Sequence, residues 1–204
     1  MFTGIVQGKF RVIDIEEKQD LKTVVVGLSE KLIAGLRIGA SVSVAGVCLT
    51  VTDVEEYNVL FDVMLETLEK TTLGNLQVGE SVNIERSARV GDEIGGHRVS
   101  GHVIGTAEII KIEESENNKA ITFGCDKSWM KYLMDKGFVA IDGCSLTVTK
   151  PDQKSGQFTV WFIPETMKTT TFGGKQVGDK VNLEIDPETQ TVVETVERIL
   201  RQKS

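Results

Sequence analysis

The sequence predicts an all-β protein: two similar, small, closed antiparallel β-barrels from an internal duplication, followed by a C-terminal α-helix. Three observations lead there. Residues 1–87 and 98–186 are two copies of one unit. Within each copy, apolar residues alternate in short runs bounded by turn residues, the period of half-buried strands. The last residues change to the three-to-four spacing of a helix.

The repeat is read by direct superposition. A shift of 97 positions lays Thr3-Gly4-Ile5-Val6-Gln7-Gly8 on Ser100-Gly101-His102-Val103-Ile104-Gly105, and Ala45-Gly46-Val47-Cys48-Leu49-Thr50-Val51 on Asp142-Gly143-Cys144-Ser145-Leu146-Thr147-Val148. The register then slips by two, so that Glu66-Thr67 falls on Glu165-Thr166 and Gln77-Val78-Gly79 on Gln176-Val177-Gly178. Solenoid repeats run to roughly 20–50 residues, so these longer units are duplicated domains. Their expected bounds are 1–97, 98–187 and, for the tail helix, 188–204. Two similar folds imply two similar binding sites.

Taken in order, the first copy has alternating runs at Val12-Ile13-Asp14-Ile15, Thr23-Val24-Val25-Val26, Ser41-Val42-Ser43-Val44 and Ser81-Val82-Asn83-Ile84. The second repeats them at Ile109-Ile110-Lys111-Ile112, Ala120-Ile121-Thr122-Phe123, Val139-Ala140-Ile141 and Lys180-Val181-Asn182-Leu183. Many short strands in so small a unit favour closure into a barrel, which removes exposed sheet edges, over the alternative of a β-sandwich. Ser29–Leu36 and Lys127–Met134 each fit a short helix across a barrel end. Ala88–Val99, with Gly91, Gly95 and Gly96, makes a turn-rich linker. From Thr191 onward Val192, Val193, Val196, Ile199, Leu200 and Lys203 form one helical stripe, with Pro187 just before it. So short a helix is marginal alone in water and should pack against something.

Composition narrows the function classes. The 204 residues are 40% hydrophobic, enough for two compact cores, and carry a formal net charge of −7 with a pI near 5.0. No continuous basic surface exists to neutralise phosphates, which argues against nucleic acid. No run reaches membrane-spanning length, and Met1-Phe2-Thr3-Gly4 has no basic segment leading into an apolar one, so a cytoplasmic protein without a membrane partner is expected. Cys48, Cys125 and Cys144 have neither metal-ligand spacing nor an even count, which suits a reducing compartment.

Positions common to both copies are candidates for holding one ligand twice: Gly4 and Gly101, Gly46 and Gly143, Thr50 and Thr147, Glu66-Thr67 and Glu165-Thr166. The glycines serve equally well as turns of a repeated fold. Positions that differ are candidates for chemistry, because a duplicated binding fold gains a reaction when one copy specialises. Cys48 faces Ser145, His102 faces Ile5, and Ser41 falls near Phe138. A lone cysteine on a strand is more often a small core hydrophobe than a nucleophile. His102 follows Ser100-Gly101 in a glycine-rich turn, where an imidazole can stay accessible and exchange protons. His97 reads equally well as a loop residue, Asp186 as the cap of the tail helix, and Cys125 and Cys144 as structural.

With Met1-Phe2-Thr3-Gly4-Ile5-Val6 opening the chain, Gly46-Val47-Cys48-Leu49-Thr50-Val51 in the first copy, Gly95-Gly96-His97-Arg98-Val99-Ser100-Gly101-His102 at the junction and Asp142-Gly143-Cys144-Ser145-Leu146-Thr147-Val148 in the second, the sequence closely resembles the riboflavin synthase family. The resemblance runs from Met1 through the tail helix, with the motifs in the family's order and spacing. It implies a homotrimer whose subunits each carry two lumazine-binding Greek-key barrels and a trimerising C-terminal helix. The implied reaction is a dismutation: one 6,7-dimethyl-8-ribityllumazine donates a four-carbon unit to another, giving riboflavin and 5-amino-6-ribitylamino-uracil. No metal or redox cofactor is called for. A lumazine synthase capsid enclosing the trimer is left open.

The same resemblance places Gly4, Ile5, Val6, Cys48, Leu49, Thr50, Asp62, Val63, Met64, Leu65, Glu66 and Thr67 around an N-terminal pocket. Around a C-terminal pocket it places Gly101, His102, Val103, Lys136, Ser145, Leu146, Thr147, Trp161, Phe162, Ile163, Pro164, Glu165 and Thr166. Phe2 and Thr3 would cover the ligand. His102 would transfer protons, Cys48 and Ser41 would act on the donor side as nucleophile or polarising groups, and Ser145, Thr147 and Asp186 would orient and relay. Such a reaction needs two stacked rings and proton shuttling to acidified methyl groups, which proximity and general acid–base groups supply. The competing reading is a non-catalytic antenna protein that holds a lumazine or flavin; that group departs at the positions matching Cys48 and His102, and both are intact here. A generic barrel scaffold for protein partners explains neither cluster.

Overall fold

A computed structural model describes residues 1–116 and 118–202. The first copy is a closed six-stranded antiparallel barrel. Its strands are β1 (Gly8–Lys18), β2 (Leu21–Gly27), β3 (Ser41–Val44), β4 (Val47–Glu55), β5 (Asn58–Met64) and β6 (Ser81–Arg86), in the order β1-β2-β5-β4-β3-β6, with β6 pairing back to β1. The second comprises β7 (Gly105–Glu114), β8 (Lys119–Gly124), β9 (Phe138–Ile141), β10 (Cys144–Thr147), β11 (Thr149–Asp152), β12 (Gln157–Phe162) and β13 (Lys180–Ile185), ordered β10-β9-β13-β7-β8-β12-β11. Strands β10 and β11 are the two halves of what is β4 in the first copy, interrupted at Val148. The sheet therefore begins and ends on one stretch of chain, a half-open version of the first barrel.

Alternation explains the strands. Along β5, Val59, Phe61 and Val63 are fully buried while Asp62 and Met64 face outward. The Val12-Ile13-Asp14 run has two adjacent apolar residues because the register slips there by one, and Ile109-Ile110-Lys111 repeats the slip. The bulge bends β1 so that one strand serves both β2 and β6. The second core is more aromatic: Phe123 stacks on Phe158 at 5.6 Å, and Phe172 meets Phe162 at 4.6 Å. Phe172 fills the place that Leu73 fills in the first barrel, and both are fully buried.

The helical readings are partly corrected. Helix α1 (Glu30–Ile33) lies within the expected segment, but Lys127–Tyr132 is a 3-10 turn. Two further helices follow the last strand before each crossover, α2 (Leu65–Lys70) and α3 (Pro164–Thr169). The tail helix α4 (Pro187–Gln202) starts a turn earlier than its apolar stripe, with Pro187 at its first position, where a missing N–H costs nothing. Val193 packs on the second core, Lys131 pairs with Glu197 at 2.7 Å, and Tyr132 donates to Glu194 at 3.0 Å. The helix thus has a groove on its own barrel, whereas Val192, Val196 and Ile199 face outward. Lys203, the end of the predicted stripe, lies outside the described residues. No helix among the described residues is long and apolar enough to cross a membrane.

Equivalent residues join the copies reciprocally. Asn83 Nδ2 donates to Asp142 O at 3.0 Å and Asn182 Nδ2 to Ala45 O at 2.8 Å; each asparagine's Oδ1 accepts the backbone N–H of Thr171 or Thr72 across the seam, both at 2.8 Å. Gly46 and Gly143 meet there at φ +82° and +81°, and a Cβ on Gly46 would lie 2.6 Å from Gly143 N. The shared glycines 46 and 143 are therefore turn and packing residues.

Candidate functional site

Two short straps, residues 2–6 and 99–103, cross between the copies. Phe2 N donates to Val99 O at 2.7 Å and Val99 N to Phe2 O at 3.0 Å, an antiparallel bridge on the seam. Two segments that pair this way leave on opposite sides, so each strap runs onto the other copy's barrel. Gly101 O accepts Cys48 N at 2.9 Å, and Gly4 O accepts Ser145 N at 2.8 Å. Val6 joins the second core, and Val103 packs on the first. Only glycine permits the approach: Gly101 sits at φ +84°, and a Cβ on it would lie 2.5 Å from the Cys48 Cβ. The expected grouping is thus exchanged. Gly101, His102 and Val103 belong with Cys48, and Gly4, Ile5 and Val6 belong with Ser145.

A buried carboxylate fixes each strap. Glu184 on β13 accepts from Ser100 N at 2.6 Å, Ser100 Oγ at 2.7 Å and Gly101 N at 2.9 Å. Glu85 on β6 accepts from Thr3 N and Oγ1, both at 2.7 Å, and from Gly4 N at 3.1 Å. Burial pushes both carboxyls above the usual range, and these donors pull them partly back.

Cross-strand pairing sets which side chains reach the outer surface. Ser41 lies opposite Thr50 and Ser43 opposite Cys48; in the second copy Phe138 lies opposite Thr147 and Ala140 opposite Ser145. Side chains alternate along a strand, so Ser41, Cys48 and Thr50 share one outer face while Leu49 turns inward. Ser145 and Thr147 share the matching face, with Leu146 inward. Val6, Leu49, Val63, Leu146 and Phe162 are all core side chains, which leaves only their backbone to face a ligand. Phe2 is 1% exposed and packs with Val99, Ala140 and Cys48, and Thr3 is held by Glu85, so neither stands free as a lid.

The strand-to-helix junctions carry the other residues expected around each pocket. In the first copy Asp62 accepts from Thr23 Oγ1 at 2.7 Å, Met64 and Leu65 are exposed, and Glu66 pairs with Lys70 at 2.7 Å. In the second, Trp161 stands where Asp62 does and is 52% exposed, beside Ile163 and Pro164. The repeated Glu-Thr pairs open α2 and α3: the Thr67 and Thr166 carbonyls accept from Thr71 and Thr170 Oγ1, each at 2.6 Å, and Glu165 accepts from Thr169 at 3.3 Å. Part of that repeat is helix-building. Lys136 holds φ +64° where the first copy has Gly39 at φ +83°, so both copies make the same left-handed turn, each donating its backbone N to the equivalent Val148 O or Val51 O at 2.8 Å.

Sequence reasoning missed His97. It is buried, its Nδ1 lies 2.6 Å from Ser145 Oγ, and its ring stacks on Phe138. Burial holds its pKa below the usual imidazole value, partly offset by the Asp186 carboxylate. The signal available was Gly95-Gly96 before it, since a side chain on Gly96 would run into Thr3 O and Ser145. Asp186 accepts from Thr189 N at 3.0 Å and Thr189 Oγ1 at 2.6 Å, so its carboxylate caps α4 while lying near enough to His97 to act on it. The thiols of Cys125 and Cys144 are pushed by burial to about 11 and about 12, so both stay protonated at neutral pH. Cys48 is half-buried on the outer face.

Both candidate sites are open surfaces of the single chain. A cleft of about 670 Å³ between the barrels is lined by Lys9, Thr71, Asn83, Asp142, Thr171 and Lys175 among others, and contains none of the predicted site residues. Among the described residues, no group of three His, Cys, Asp or Glu side chains is placed to hold a metal ion.

A model of the lumazine binding domain family matches this chain twice, over residues 3–87 and 100–186. The riboflavin synthase of Escherichia coli (strain K12) is 52% identical over 201 residues, covering 98% of this chain and 93% of that protein. The riboflavin synthase of Chlamydia pneumoniae is 44% identical over 200 residues, covering 98% and 97%. Among solved structures, the crystal structure of LumP complexed with riboflavin superposes with a TM-score of 0.84 at 24% identity, over 91% of this chain and all of that one, which is a likeness of fold.

Proposed function

We infer that this chain, which belongs to the riboflavin synthase family of lumazine-binding proteins, is a riboflavin synthase: a transferase that turns two molecules of 6,7-dimethyl-8-ribityllumazine into riboflavin and 5-amino-6-ribitylamino-uracil. The observation that carries this is 52% identity to a riboflavin synthase across 98% of the chain. The geometry supports it through two sites of one design but unequal chemistry. One has Cys48, Ser41 and Thr50 under the strap that bears His102; the other has Ser145 and Thr147 under the strap that bears Ile5.

In this reading each site holds one lumazine, and the reaction begins when the two rings are stacked. His102 moves protons at the methyl groups, Cys48 and Ser41 polarise or attack the donor ring, and Ser145, Thr147 and Asp186 orient the other and relay protons, with Lys136 beside it. Pre-paid proximity supplies much of the rate, and one acid–base group about a hundredfold or more. The two sites lie on open faces of one subunit, so a neighbouring subunit closes them, first-copy site against second-copy site. The exposed Val192, Val196 and Ile199 of α4 are then the contact that gathers three chains. The division into two barrels at 1–97 and 98–187 with a trimerising tail at 188–204 belongs to the same proposal. Incubating the purified chain with dimethylribityllumazine, before and after dialysis against a chelator, tests it: riboflavin should form in both, and riboflavin that forms only with added metal or reductant would refute this chemistry.

A further inference from the structure

We propose that His97 is a positioning residue that fixes the Ser145 hydroxyl at the second-copy site, an inference that rests on the riboflavin synthase reading. His97 Nδ1 is 2.6 Å from Ser145 Oγ, and the imidazole lies 5.0 Å from the Phe138 ring at an interplanar angle of 13°. The residue is 7% exposed, and its backbone N donates to Thr3 O at 3.2 Å. Rotating the ring would break the stack and the hydrogen bond together. Its Nε2 is buried with no hydrogen-bond partner among the described residues. Such an orphan costs stability, and a phenyl ring there would keep the stacking without it, so the polar atoms of His97 have a use other than packing.

The arrangement belongs to one copy only. The first has Ser41 and Cys48 where the second has Phe138 and Ser145, so the pair is no by-product of the duplication. Gly96 makes it possible, because a Cβ there would lie 2.9 Å from Ser145 Oγ and strike Thr3 O. With Ser145 Oγ as the acceptor, the ring is neutral and carries its proton on Nδ1. That tautomer leaves Nε2 as an unpaired acceptor, which a buried site tolerates better than an unpaired N–H. With the ring donating to Oγ, the serine's own O–H is free to point outward, on the face it shares with Thr147, toward an acceptor atom of the bound ring.

The chain has two histidines, so the imidazole nitrogens can be assigned by nitrogen-15 NMR against His102→Gln. In the full-length protein at neutral pH, His97 should be neutral with its proton on Nδ1, and Ser145→Ala should shift it to a mixture of tautomers. In turnover assays His97→Phe, which keeps the stack but has no polar atom, should lower kcat about tenfold. Ser145→Ala should cost about as much, the double variant no more than either, and His97→Asn, which places a donor near Nδ1, should recover part of the loss. A purely structural role predicts additive losses and a tautomer indifferent to Ser145. That result, or a His97→Phe enzyme with wild-type kcat, overturns the proposal, and if His97→Phe does not fold, the Ser145→Ala spectrum decides. Wild-type protein that makes no riboflavin while its His97 tautomer still follows Ser145 would instead overturn the activity and leave the pair intact.

Discussion

At the residue scale the proposed function separates side chains that would hold ligand from those that would change it. Cys48→Ser and His102→Gln keep approximate size and polarity, so lumazine affinity should change little while turnover falls about a hundredfold. Near-normal turnover in both, measured beside fluorescence titrations of the ligand, would remove them from the chemistry. Asp142 offers a test of stability. Burial raises its carboxyl from 3.8 to about 6, with Lys175 and the Asn182 N–H pulling it partly back. The native chain therefore holds this proton more tightly than the unfolded chain, and stability falls as pH rises from 3.8 to about 6. Asp142→Asn keeps an acceptor for Asn182 and should raise stability at neutral pH by roughly 1–3 kcal/mol while flattening that slope. Denaturant melts across the acid range check this; an unchanged slope would contradict it. At this scale the sequence was informative where the copies disagree, since Cys48 against Ser145 and His102 against Ile5 mark the two faces. It was silent about His97, whose partner is 48 residues away and whose role depends on a glycine that permits contact rather than making one.

Among elements, the straps carry the most consequence. The repeat register is the same whether each strap stays on its own barrel or crosses, so periodicity gave no sign of the exchange. Helices α2 and α3 span six residues each, too short to show helical spacing, so the repeated Glu-Thr pairs gave no sign of the helices they open. The exchange predicts the behaviour of a fragment. Residues 1–97 lack the Gly101 strap that covers Cys48, yet carry the equivalent strap with nothing of the second copy to receive it. Because Phe2 and Val99 are equivalent positions, two fragments can pair Phe2 with Phe2 and exchange straps. Light scattering should give twice the fragment mass, with lumazine bound but not converted because Ile5 stands in for His102. A stable monomeric fragment would contradict this. For α4, Val196→Asp with Ile199→Asp spares Val193 and the Glu194 and Glu197 contacts, so the helix should stay docked while the assembly falls to monomers. Turnover should drop most at low protein concentration, and a fully active monomer would refute the role of the helix.

The whole molecule is a duplication whose halves have been made unlike. Its β-rich, two-unit character was legible because alternation and repeat are local or exact in register. The seam was not, because Asn83 and Asn182 sit in ordinary strand positions and reveal themselves only by bonding to the opposite copy. The half-open second barrel was also hidden, since the strand broken at Val148 reads as continuously as its partner in the first copy. What the duplication leaves is a pair of related faces with unlike side chains, Cys48 and His102 on one and Ser145 and Ile5 on the other. The most direct measurement is a quantified time course with dimethylribityllumazine as sole substrate, recording the lumazine consumed, the riboflavin formed and the aminopyrimidine formed in one reaction. The expected result is two lumazines lost for each riboflavin and each 5-amino-6-ribitylamino-uracil that appear; lumazine that binds without being consumed, or riboflavin without its pyrimidine partner, would contradict the account.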